Sequence, residues 1–426
     1  MNYYDPMFYI SSEKMPFTIN IEVRLRQEKI DGEALTYAIN TAIQRYPYYA
    51  IQVEKRTVTI DGETKEELIA VPNERPIVVY PGPEVYPLGS KEVNYHMLAL
   101  SYEEDKIYFY ASHVITDGSG YYPYIKTVLY YYLRKSENIE LDPEDIRLAG
   151  DPFYEDELGN PFPEEKMAQA IPLGKENKND YFRLRDGSYV KDDKATVYRL
   201  RLNKEEILDF SDDNDGSPAA LISSMMAKAI WSLHPEEEKD IVSALSFNLR
   251  PGLGNGYSHR LLCSALNLNF PNKVKTWGIW RLCTVSRAQI ALRSHPDNVL
   301  SYAQKLRRNM EKLLEIPTVE EKKKVLGEQA LEDSISNTFS VSYVGKIGLG
   351  SLEPYIESIY NQTDGSTYQT LFIEVSAVNE SFDVAFLQGF SSDVYYQEFL
   401  NQLNRYDLNY IEEEPTELKV PEIILP

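Results

Sequence analysis

Apolar positions alternate from the start of the chain: Ile19, Ile21, Val23 and Leu25 fall on one side of residues 17–25, the period of a half-buried strand. Asp31 then precedes a run in which Leu35, Ala38, Ile39, Ala42 and Ile43 share one helical stripe, closed off by Pro47. Residues 57–71 read as a hairpin turning at Asp61 and Gly62, and residues 94–102 with 106–113 as a second. A helix is expected from about Tyr121 to Arg134, with Pro123 in its first turn and Tyr124, Ile125, Val128, Leu129, Tyr132 and Leu133 facing inward.

Periodicity lapses over 140–193, where LDPED, GDPF, GNPFP and KENKND crowd turn formers and charges together; a domain boundary is expected there. Patterning resumes with a strand at 194–202, a helix at 204–210 and a helix opened by Ser217 and Pro218 that runs to about Leu233. A strand at 241–249 leads into the glycine-rich RPGLGNGYS. A helix over about 297–315 gathers Leu300, Ala303, Leu306, Met310, Leu313 and Leu314 on one side. Strands at 337–344, 368–377 and 382–389 and a helix holding Phe399, Leu400 and Leu403 complete the pattern, without repeats or low-complexity tracts.

Length and charge narrow the possibilities. At 426 residues the chain is two to three domain lengths, and 43% hydrophobic with 26% charged residues excludes wholesale disorder. Sixty-six acidic against 44 basic residues give a formal charge of −22, which argues against nucleic acid or anionic membrane as the main partner. Cys263 and Cys283 are the only cysteines, too few for a disulfide framework and without neighbours at metal-ligand spacing, so no metal is expected. The N-terminus does not read as a signal peptide, and the best apolar stretch, 219–233, carries Lys228. No membrane span and a cytoplasmic location are therefore expected. Thirty-three tyrosines suggest amphipathic packing surface and nothing sharper.

The chemistry-bearing stretch is SHVITDG, 112–118. His113 falls where a strand gives way to a turn, from which an imidazole can project into a cleft; Asp117 and Gly118 follow before a helix. A histidine satisfied at a strand end, with Asp-Gly merely turning the chain, fits these residues equally well. GLGNG (252–256) lacks dinucleotide-loop spacing, and SDDNDG (211–216) lacks calcium-ligand positions. No G-x-S-x-G elbow or Walker loop occurs. The basic run at 322–324 reads as a solvated helix face, with a phosphate contact as the lesser reading. His96, His234, His259 and His295 show no partner pattern.

Five stretches in order resemble the chloramphenicol acetyltransferase-like superfamily, and within it the condensation-domain and alcohol O-acetyltransferase branch. They are IDGEALTYAINTAIQRYPYY (30–49), HVITDGSGYYPYIKTVLYYYL (113–133), SPAALISSMMAKAIWSL (217–233), LSFNLRPGLG (245–254) and FSVSYVGKIG (339–348). Ser112 stands where many condensation domains have a first histidine, and the DFGWG signature of the plant branch is absent. The resemblance implies an α/β fold of two subdomains, 1–175 carrying HxxxDG and 176–426, with a substrate tunnel between them. It implies acyl transfer from a thioester to a hydroxyl or amine, with His113 as general base. Asp117 and Gly118 would shape the loop, Asp117 pairing with Arg250 or, in reserve, Arg45. Ser342 or a backbone amide near Gly345 would meet the oxyanion. The donor would be acyl-coenzyme A or a phosphopantetheine thioester on a carrier protein, with no tightly bound cofactor. A carrier-dependent condensation enzyme and a non-catalytic binding protein that kept the fold stay open as alternatives.

Overall fold

The computed structural model describes residues 6–11, 15–60, 62–171, 180–184, 194–334, 337–363 and 371–426. Its N-terminal part runs β1 (Thr18–Leu25), α1 (Gly32–Ala42), β2 (Ile51–Ile60), β3 (Glu63–Pro72), β4 (Val79–Pro81), β5 (Leu98–Glu103), β6 (Lys106–Ser112), α2 (Gly118–Ser136) and the short α3 (Glu164–Met167). There follow β7 (Thr196–Asn203), α4 (Lys204–Asp213), α5 (Pro218–Leu233), β8 (Ile241–Asn248), α6 (Arg250–Leu253), β9 (Cys263–Phe270), α7 (Ile279–Arg293), α8 (Pro296–Leu313) and α9 (Val319–Ser334). The chain ends with β10 (Phe339–Lys346), β11 (Ile356–Thr363), β12 (Leu371–Val378), β13 (Ser381–Gln388), α10 (Val394–Arg405) and β14 (Tyr410–Glu417).

Local chemistry explains the main helices. Asp31 caps α1 by accepting from the amides of Glu33 and Ala34, and the expected stripe of Leu35, Ala38, Ile39 and Ala42 is buried. Ser217 caps α5 through the Ala220 amide, with Pro218 as its first residue. Helices α1 and α2 pack together over a sheet ordered β11-β1-β6-β5-β4, and α5 packs with α7 and α10 on a sheet ordered β14-β7-β13-β12-β10-β8-β9. Each sheet has its own apolar core. Ile21, Val23, Leu100 and Phe109 meet Leu35, Ile39 and Val128 in the first. Leu200, Leu245, Val341, Val375 and Val384 meet Met226, Ile230 and Leu400 in the second.

The two sheets are tied by exchange. Strand β11 lies late in the sequence yet pairs antiparallel with β1, from Ile19 opposite Thr363 to Val23 opposite Ile359. Val299, Ala303, Met310 and Val319 of α8 and α9 also enter the first core. Across the join, Arg199 of β7 sits 3.1 Å from Glu22 of β1, both nearly without exposure, and Lys106 reaches the same carboxylate at 3.3 Å.

Several elements depart from the sequence pattern. The strand expected from 94 begins at Leu98, because Asn94 and Tyr95 turn the chain with φ of 54° and 64°. Helix α2 starts three residues before Tyr121, since the Asp117 carboxylate accepts from the Gly120 amide and caps it there. Asp61, and residues 368–370 of an expected strand, lie outside the described residues. Within 140–193, Glu157 is fully buried and accepts from both Arg45 Nη atoms at 2.8 and 2.9 Å, so this stretch also supplies core. Arg45, the reserve partner for Asp117, is taken by Glu157.

The basic run at 322–324 departs from a solvated face at its first residue, Lys324 being exposed as expected. It lies on α9, but Lys322 is fully buried, its ammonium 2.6 Å from Glu67 Oε1 and donating to the Glu66 carbonyl. Tyr9 donates to the other Glu67 oxygen at 2.6 Å. A buried charge is tolerated when paired and hydrogen-bonded, and stranding one partner costs about 3–5 kcal/mol. Lys322→Met and Glu67→Gln should therefore each lower stability by about that much in urea unfolding, and the double variant by much less than the sum. Small additive losses would mean the pair is not coupled.

Candidate active site

The HVITDG turn is built from backbone bonds first. Strand β6 ends at Ser112, the His113 amide donates to the Phe17 carbonyl at 2.8 Å, and the Ile115 amide donates back to Ser112. Ser112 is buried, with its hydroxyl 3.4 Å from the Val114 amide, so it serves the turn. The His113 ring is half-buried and stacks on Phe17 with centroids 4.9 Å apart; Phe17 itself holds φ of 58°, in the left-handed region that a bulky residue rarely enters. His113 Nδ1 lies 2.8 Å from the Thr116 carbonyl oxygen. A carbonyl only accepts, so this contact assigns a proton to Nδ1, and in the neutral ring the lone pair is then on Nε2.

Asp117 holds the turn from the other side. Its carboxylate accepts from the Gly120 and Leu262 amides at 2.9 and 2.8 Å, and from Arg250 Nη1 at 2.9 Å, with Arg250 Nη2 at 2.8 Å from the other oxygen. Arg250 is as buried as its partner, and its remaining contacts go to the Ser258 and Arg260 carbonyls and to Asn248 Oδ1. Burial works against the guanidinium charge, yet Asp117 outweighs it and the Arg250 pKa is raised. Gly118 has room, since an added Cβ would meet only side-chain carbons of Tyr122 and Val344 at 3.7 Å and beyond. Gly120 has none: a Cβ there would sit 2.3 Å from the His259 carbonyl oxygen.

Around this turn the tyrosines find their use. Tyr49 donates to the Gly120 carbonyl at 2.8 Å and touches Thr116 Oγ1, and Tyr46 donates to the Pro123 carbonyl at 2.9 Å. Each ring fills core while its hydroxyl bonds a carbonyl in the first turns of α2. His259 stacks on Tyr48 at 3.8 Å, donates from Nδ1 to the Glu157 carbonyl, and burial pushes its pKa down to about 3. It is a neutral packing residue.

His113, Asp117, Gly118, Arg250 and Ser342 all line one cavity of about 470 Å³. Gly345, at a register shift in β10 with φ of 78°, is not among its lining residues. Ile10, Met15, Phe17, Ile19 and Ile21 give an apolar part of the lining; Asn361 and Thr363 stand beside Ile21 and Ile19 in the same sheet, and Ser340, Ser342 and Glu374 line the cavity from the other sheet. The Ser342 hydroxyl is engaged by the Glu374 carboxyl, which limits what else it can bind. Sequence reasoning missed Phe17, Asn248 and Glu374 as lining residues. For Glu374 a signal existed: a lone acid in LFIEVSAV, a strand apolar on both faces, has nowhere to go but inside. Among the described residues no group of three or more His, Cys, Asp or Glu could hold a metal ion, and no helix is long and apolar enough to cross a membrane.

No protein-family model matches the chain, and no curated protein matches it in sequence. Solved structures match in fold. TRI101 of F. graminearum, crystallised with coenzyme A and deoxynivalenol, is 12% identical, with 95% of this chain and 98% of that one covered and a TM-score of 0.58. The condensation domain of the Monacolin K polyketide synthase MokA is 12% identical, covers 95% of each chain and scores 0.59. The trichothecene 15-O-acetyltransferase TRI3 of Fusarium sporotrichioides is 12% identical over 95% and 93%, also at 0.59. The chain has the two-subdomain α/β fold of these acetyltransferases and condensation domains.

The Asp117–Arg250 pair joins segments 133 residues apart, which separates it from a simple helix cap. Loss of a cap costs about 1 kcal/mol, loss of one member of a buried pair about 3–5 kcal/mol. Asp117→Ala and Arg250→Ala should each fall in the larger range by chemical denaturation, with the double variant costing far less than their sum. Losses near the smaller figure that add would reduce Asp117 to a cap.

Proposed function

We propose that the protein is an acyltransferase that moves an acyl group from a thioester, acyl-coenzyme A in the first instance, to a hydroxyl or amine of a small acceptor. The observation that carries this reading is the state of His113: a cavity-lining imidazole whose Nδ1 proton is committed to the Thr116 carbonyl, leaving Nε2 basic. A neutral acceptor is a weak nucleophile, and a base that takes its proton as the bond to the thioester carbonyl forms lowers the barrier. In this scheme the proton passes from the acceptor to Nε2 and then to the departing sulfur, so the imidazole ends as it began. No covalent enzyme intermediate is required. Ser342, in the lining, is the expected donor to the oxyanion, sharing its single proton with the claim of Glu374. Asp117 and Arg250 position the turn and take no proton. A cavity of about 470 Å³ falls within the size range of small-molecule sites.

The condensation domain among the similar structures supports a second donor, a phosphopantetheine thioester on a carrier protein. The acceptor chemistry is the same. Thiol release with free acyl-coenzyme A and with an acylated carrier separates the two donors, and release with neither would leave the non-catalytic binding reading.

His113→Ala should lower acyl transfer by about 10²–10⁴-fold while circular dichroism and unfolding stay near wild type, because the ring is half-buried and stacked on one face only. Near-normal thiol release by the folded variant would overturn the base assignment.

Residues 1–175 and 176–426, produced separately, should each lack turnover. The first half lacks β11 and Arg250, and the second lacks His113. Turnover by the isolated first half would refute a shared site.

A further inference from the structure

Among the ionisable side chains of the cavity, Glu374 has no part in the scheme above beyond its hold on Ser342. Glu374 of β12 lines the cavity at 4% exposure, opposite Ser342 in the β10 register. Among the described residues the groups that bond its carboxyl are two hydroxyls, of Ser342 and Thr363, and no cation is among them. From the other elements around it, the Cys263 thiol of β9 and the Tyr122 phenol of α2 feel its charge, and burial raises both so that they stay neutral. Asp383 of β13 is also buried and adds no positive charge.

Among the described lining residues Arg250 is the one permanent cation, and Asp117 neutralises it. Ionised, Glu374 would leave the described lining with one unbalanced negative charge. Burial raises its pKa to about 7, against the two hydroxyls that pull it down, so a modest stabilisation of the charged form suffices to ionise it near neutrality. A buried carboxyl without a counter-ion weakens the fold, and such groups in clefts mark sites where a ligand completes the pair. The protein's charge of −22 would favour approach of a cation.

Resting on the acyl-transfer reading, we propose that Glu374 is a specificity-determining residue that pairs with the ammonium group of the acceptor, making the acceptor an amine-bearing small molecule such as an amino alcohol. Thr363 lies opposite Ile19, and Ile19 opposite Ala111 two residues before His113, so two strand spacings, roughly 10 Å, separate the carboxyl's hydroxyl partner from the base-bearing strand. The acceptor accordingly carries its cation and its reacting group at opposite ends of a short chain, along the apolar wall of Phe17, Ile19 and Ile21.

Binding of aminohexanol and of hexanol, measured by calorimetry without any acyl donor, tests this. At about pH 8 the wild type should bind aminohexanol at least about tenfold more tightly. The preference should fade toward about pH 6 as the carboxyl takes up a proton while the amine stays charged. Glu374→Gln should abolish the preference at both values. A wild type without preference, a preference independent of pH, or a Gln variant that keeps it would each overturn the assignment. The wild-type profile decides even if the variant folds poorly. Because no donor is present, selective binding without subsequent thiol release would sink the acyl-transfer reading and leave the amine site standing.

Discussion

A guanidinium can be buried only where its donors are met, and Arg250 meets its needs with groups that the turn after β6 and the segment after β8 bring together. Asp117 supplies both carboxylate oxygens, and the carbonyls of Ser258 and Arg260 supply the rest. The same carboxylate caps α2 and takes the Leu262 amide. The shape of the turn is thereby fixed by the Asp117–Arg250 pair, and Thr116 is left with its carbonyl facing His113. Positioning the imidazole thus depends on an ion pair that lines the same cavity.

Exchange between the sheets makes the cavity a joint product. Strand β11 belongs by sequence to the second half and by pairing to the first sheet, so Asn361 and Thr363 stand in the same row as Ile21 and Ile19. The Glu22–Arg199 contact clamps the opposite side of β1 to β7. One strand therefore presents an apolar wall to the cavity on one face and a buried ion pair on the other. Both halves line the cavity, His113 and Asp117 with Ile19 and Ile21 from the first, Ser340, Ser342 and Glu374 with Ala244 and Phe372 from the second.

Much of this was legible in the sequence where local physics decides. The stripes of α1, α2 and α8, the span of α5, the caps Asp31 and Ser217, and the strands around HVITDG follow from periodicity and capping chemistry alone. Other elements are decided by partners far away. Strand β14 is strongly acidic and joins the sheet only as an edge beside β7. Helix α7 buries Ile279, Leu282, Cys283 and Ser286 while Trp280 and Leu292 stay exposed, so its stripe is too weak to read. The lysines at 322–324 resemble a solvated face because nothing nearby in sequence announces Glu67. In the site, His113 and the Asp117–Arg250 pairing rested on a motif and a resemblance, whereas Phe17 and Glu374 enter through tertiary packing.

The late position of β11 also bears on how the chain is made. Its partner β1 ends at Leu25, and β11 begins at Ile356, so more than three hundred residues must be synthesised before that edge of the first sheet can close. At roughly 5–20 residues per second the nascent chain carries an open edge for something like 15–70 s. An unpaired strand with Ile19, Ile21 and Val23 along it is a template for wrong pairing with neighbouring chains. The wait for β11 thus sets the interval over which that edge of the first sheet stands open during synthesis.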